Sequence, residues 1–345
     1  MARRLTLLQL LDQLSPTVRD AFIESILNVR GDTQLAALES AIRNGDVDGA
    51  LRVLALGPEY FAPLDRAMRS AYEAGGDLAM ASLMADASRQ GAQVTGRFSE
   101  RNLRAERYLE QRAAALVVEI TESIRDAARD TITAAARAQT SPRTTALDLI
   151  GRINRATGRR EGGIIGLTQQ QAGWARAAFA ELTSGDPTLM RSYLSRSGTT
   201  RDRRFDRMVA TAIREGRAVP RADATRITRA YRNGLLRSRG ETIARTELLG
   251  SLHAAQDEGI QQMIDRGDIG ANAVKRDWDS AEDSATRDSH RAMDGQQRGA
   301  NEPFTTGAGF QMLYPGDSSL GAPGSEIINC RCVVRLDVDF LSALE

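Results

Sequence analysis

Two cysteines, Cys330 and Cys332, and two histidines, His253 and His290, are the only residues of their types in the 345-residue chain, and all four lie after residue 250. On an extended strand, residues two apart project to the same side. Their Cα atoms would lie about 6.8 Å apart with parallel side chains, near the upper limit for a disulfide. That disfavours a bridge and makes the pair half of a zinc site, since zinc takes thiolates, imidazoles and carboxylates in a tetrahedral shell. The candidate metal ligands are His290, Cys330 and Cys332, with zinc as the cofactor. His253 is a weaker fourth candidate, and Asp288 and Asp294 are carboxylates of the same region. Cys-x-Cys is not the usual Cys-x2-Cys spacing, so the alternative is two buried reduced thiols beside a locally bonded His290. A catalytic reading ranks lower. Asp288 and His290 are two apart on an expected helix and do not face each other. Cys330 as a nucleophile with His290 as its base is conceivable, but no nucleotide loop accompanies it.

Arginine offers a second chemistry. The net charge of +1 hides an asymmetry: residues 1–96 carry 9 basic and 12 acidic side chains, residues 97–240 carry 28 and 15, and residues 241–345 carry 9 and 18. A near-neutral, then basic, then acidic chain points to three functional regions. Lys275 is the only lysine. The candidate DNA-binding residues are Arg201, Arg203, Arg204 and Arg207, clustered within about two helical turns and flanked by further arginines from Arg191 to Arg232. Guanidinium forks suit phosphate oxygens. Few aromatics are interleaved, so the cluster suits sequence-independent contact with duplex phosphates more than base stacking. Arginines paired with acids, or with an acidic partner, are the alternative.

The elements that must position these residues are mostly helices. Ser15-Pro16 predicts an N-cap and first turn, followed by one apolar face at Val18, Phe22, Ile26 and Val29. Helices follow near 33–43, 46–56, 63–74 and 77–90, with breaks at Gly45, Gly57-Pro58 and Gly75-Gly76. The longest signal runs over 97–139 and would span on the order of 60 Å. Residues 151–167, rich in glycine and arginine, read as a linker. Thr168 and Gln171 match a capping box, and Asp186-Pro187 a helix start. Later helices are expected near 187–195, 200–215, 221–238 and 241–266. Arg245 and Glu247 are candidates for ion pairs that fix the last of these. Beyond Gly267 the pattern changes to a strand over 274–278, a short helix near 283–293, a turn-rich stretch and a strand over about 329–338. The expected fold is mainly α in the N-terminal and middle regions, with long helices, and a small α+β C-terminal domain. The expected domains are 1–150, a linker at 151–167, a basic helical region at 168–240, and 241–345. No run of about 18 apolar residues is present, so no membrane partner is expected.

Several segments carry a resemblance. They are TRDRRFDRMVATAIREGRAVP at 200–220, ETIARTE at 241–247, WDSAEDSATRDSHRAMDGQ at 278–296, Phe304, MLYPGD at 312–317 and GAPGSEIINCRCVV at 321–334. In this order and spacing they resemble the phage Mu F-like minor head protein family of tailed bacteriophages, over roughly residues 165–340. The resemblance implies a non-catalytic minor capsid protein, made in the host cytoplasm during head morphogenesis and carried inside the virion head. The partners it implies are the portal protein, packaged double-stranded DNA, and scaffold or major capsid protein. The alternative is a virion-carried effector or nucleic-acid-processing enzyme. With the chain ending at Glu345, an effector is expected only within 1–150, which holds no histidine or cysteine. An acidic module is repelled by DNA, so residues 241–345 are expected to face the portal and the arginine-rich helices the genome.

Overall fold

The computed structural model describes residues 6–341. It is mainly α, with a small region of antiparallel strands after residue 270. The helices are α1 (Leu7–Asp32), α2 (Leu35–Arg43), α3 (Val47–Val53), α4 (Ala62–Gln90), α5 (Leu103–Arg137), α6 (Pro142–Ile150), α7 (Gln169–Thr183), α8 (Pro187–Ser195), α9 (Asp206–Arg214), α10 (Arg221–Asp265), α11 (Asp288–Arg291) and α12 (Gly324–Ile327). Strands β1 (Arg152–Ile153) and β2 (Arg160–Glu161) form a hairpin between α6 and α7. After α10 come β3 (Val274–Asp279), β4 (Gln297–Gly299), β5 (Phe304–Thr305), β6 (Gln311–Met312) and β7 (Val333–Val338). β3 is the centre of a three-stranded sheet, with β4 and β7 antiparallel on either side and Trp278 opposite Val334.

The chain divides into two compact units. The first takes residues up to Val18, Asp65–Ala113 and Glu241 onward; the second takes Arg19–Leu64 and Ala114–Gly240. In the first, Met80, Leu83 and Ala87 of α4 share an apolar core with Ile260 and Met263 of α10, Val274 of β3 and Val338 of β7. Arg276, 2% exposed, knits the strands: it donates to the carbonyls of Gly299, Leu313 and Glu302 and pairs with Asp257 at 3.1 Å. In the second unit, Arg30 is buried and donates to the carbonyls of Gly163 and Ile165. The segment read as a linker thus contains the β1–β2 hairpin and the buried Ile164, Ile165 and Leu167.

Several expected breaks do not occur. α1 begins at Leu7 and carries Pro16 in its interior, and Ser15 donates to Leu11 O instead of capping. Burial of Leu10, Leu11, Val18 and Phe22 offsets the one helical hydrogen bond that proline removes. α4 runs through Gly75-Gly76. A Cβ on Gly75 would lie 2.8 Å from Leu252 of α10 and one on Gly76 would overlap the Phe98 ring, so Gly75 lets α10 approach, Gly76 makes room for Phe98, and neither ends the helix. α10 is likewise continuous through Gly240. α5 is shorter than expected. Asn102 accepts from Arg104 N at its start, and Gln139, in the left-handed region at φ 52°, closes its end. The capping box at Thr168 and the N-cap at Asp186 form as expected.

Candidate metal centre

The centre is built on α11, the turn before β7 and α12, all in the first unit. α11 is shorter than 283–293. Asp283 accepts from Ala285 N and the Thr286 hydroxyl, holding 283–286 in a turn that competes with helix. His290 therefore sits on a single helical turn, buried to 1% exposure, with the Trp278 ring edge-on at 5.3 Å. β7 starts at Val333, later than expected, because Asn329 turns the chain at φ 55°. The Asn329 N–H donates to Thr246 Oγ1 of α10, so the ETIARTE segment anchors the cysteine loop. Glu247 of the same segment accepts a two-pronged pair from Arg112 of α5, at 2.7 and 2.5 Å. No ion pair is formed by Arg245 among the described residues.

These elements bring His290, Cys330 and Cys332 together, with one donor atom from each lying within 4.8 Å of the others. His290 Nδ1 is 3.4 Å from Cys330 Sγ and 3.6 Å from Cys332 Sγ. Around zinc, Zn–S of about 2.3 Å and Zn–N of about 2.0 Å give a tetrahedron with N–S edges of about 3.5 Å. Both cysteines are unbridged and 2% exposed. The adjacent Cys332 sulfur, and then burial, pushes the Cys330 thiol well above the usual range, while the adjacent Cys330 holds the Cys332 thiol below it. A divalent cation would favour the thiolate form of both.

Behind the imidazole stands a residue that the sequence reading missed. His290 Nε2 lies 3.0 Å from Glu326 Oε2, though not aligned as a hydrogen bond, and the same oxygen accepts from Ser289 Oγ at 2.9 Å. A carboxylate on the far nitrogen of a ligand histidine fixes its tautomer and raises its basicity. The signal was available: Glu326 precedes Cys330 by four residues. The other candidates are elsewhere. His253 donates from Nδ1 to Leu249 O and accepts from Val334 N at Nε2. Asp288 is 96% exposed beside Arg291, and Asp294 accepts from Ser280 N.

The candidate DNA-binding arginines lie in the second unit and are not equivalent. Arg201 is drawn inward, pairing with Asp206 at 2.8 Å and donating to the carbonyls of Leu194 and Arg196. Arg203, Arg204 and Arg207 are exposed, and Arg204 pairs with Asp202.

Residues 204–335 match the family model described as phage Mu protein F like protein. No curated protein and no solved structure matches the chain.

Proposed function

We propose, because residues 204–335 match the family model of phage Mu protein F like protein, that the protein is a minor capsid protein of a tailed bacteriophage, acting in head morphogenesis at the portal vertex inside the head. The family match carries this reading. Its test is mass spectrometry of purified particles from a phage bearing the gene. The protein is expected in few copies per head, with cross-links to portal protein concentrated after residue 240. Its absence from particles overturns the reading.

The exposed Arg203, Arg204 and Arg207 are the side chains that contact packaged duplex DNA in this reading. Replacing these three by Gln is expected to weaken binding on all sequences alike and to reduce the salt dependence. Arg201 is left out of the variant because its guanidinium holds the local fold. Binding unchanged in the variant contradicts the assignment. The ion held by His290, Cys330 and Cys332 is zinc, by its preference for sulfur and imidazole donors at these separations. Burial of all three donors supports a structural use of the ion over catalysis.

A further inference from the structure

We propose that the second unit holds a pocket for a small phosphomonoester with an apolar or aromatic body. Faces of four helices meet around a cavity of about 430 Å³. α10 contributes Arg221, Thr225, Thr228 and Arg232, at spacings of four, three and four that put them on one face. Opposite them α5 presents Ala134 and Ala135, where bundles normally interdigitate larger side chains. The space left is of the size that binds small ligands, about 300–1,000 Å³.

The lining has more positive charge than the protein neutralises. Arg152, Arg176, Arg221 and Arg232 face it, against the single carboxylate of Asp148. Asp148 is taken by Arg232 at 3.0 Å. Among the described residues Arg176 reaches only the Thr131 hydroxyl, at 3.3 Å, and Arg221 lies over the Phe179 ring at 5.7 Å. Arg152 has no carboxylate partner among the described residues. Thr228 is 2% exposed, yet among the described residues its hydroxyl has no hydrogen-bond partner, and neither does Arg232 Nε. Buried unpaired polar groups cost stability unless something satisfies them. A phosphomonoester, with a charge of about −1.5 to −2 and three acceptor oxygens, answers both deficits better than a single carboxylate. Its body would rest on the alanine wall and Phe179. A DNA duplex is too wide to enter, so this site is separate from the exposed arginines above.

The test is calorimetric titration of the full chain, at constant ionic strength, with phenyl phosphate, inorganic phosphate and benzoate. Phenyl phosphate is expected to bind saturably, one per chain, at least tenfold more tightly than either of the others. Arg176→Gln and Arg221→Gln should each weaken it about tenfold. Thr228→Val removes the unpaired hydroxyl at nearly constant volume. It should weaken binding while the thermal midpoint holds or rises, which a hydroxyl serving only the fold would not do. Absence of saturable binding, equal affinity for benzoate or inorganic phosphate, or an affinity unchanged by Thr228→Val overturns the proposal.

Discussion

The first unit holds two histidines buried equally, His253 and His290, each 1% exposed, in surroundings that ask opposite things of them. Around His253 the backbone uses both ring nitrogens: Nδ1–H donates to Leu249 O at 2.9 Å, and Nε2 accepts from Val334 N at 3.3 Å. That ring is complete as a neutral group, and burial holds its pKa down to about 4. Around His290 the neighbours are side chains that titrate: two sulfurs on one nitrogen and a carboxylate beyond the other. Burial alone therefore does not mark a ligand. What marks it is whether the ring's partners are already satisfied or converge on a point that a cation would fill.

The largest effect is expected at the sulfurs. Cys330→Ser with Cys332→Ser should abolish metal binding and remove a stabilisation bounded by that of small zinc domains, on the order of 10 kcal/mol. A chelator should lower the thermal midpoint of the natural chain and leave that of the double variant unchanged. Equal response to chelator in both would break the contrast between the two histidines.

His253 predicts a smaller effect, with a definite sign. Its folded pKa lies below the unfolded value of about 6.5, so its contribution is fully present above pH 6.5 and is lost as pH falls toward 4. The shift corresponds to about 3 kcal/mol. Urea unfolding at pH 7 and pH 4.5 should show the natural chain losing more stability than His253→Gln. Identical losses would mean that the ring is not held neutral.

Glu326→Gln sharpens the comparison further. It should weaken zinc affinity about tenfold to a hundredfold without unfolding the protein, as removal of an outer carboxylate does. Complete loss of the metal would make Glu326 a direct ligand instead.

Much of this was legible in the residues. Types confined to a few positions, such as Cys330, Cys332 and His290, left few ways to assemble a metal site, and their convergence needed only the turn at Asn329. Helix starts with side-chain caps, at Thr168 and Asp186, were legible because the cap is a local contact. Gly75 and Gly240 misled because a break and a close approach use the same residue; only the neighbour across the gap, Leu252 for Gly75, distinguishes them. Pro16 misled because burial of the face around it outweighs the one hydrogen bond it removes. Glu326 escaped although it precedes Cys330 by only four residues, because what makes it matter is the contact with His290, thirty-six residues earlier in the chain. The arginine cluster was read as one surface, but Arg201 is turned inward by Asp206, a partner whose importance depends on the tertiary turn between them.

The most direct measurement is elemental analysis of the full chain purified without chelator. About one zinc per chain is expected, retained in His253→Gln and absent from the double cysteine variant. A metal-free chain whose thermal midpoint is indifferent to chelator and to added zinc would contradict it, leaving His290 between two ordinary buried thiols.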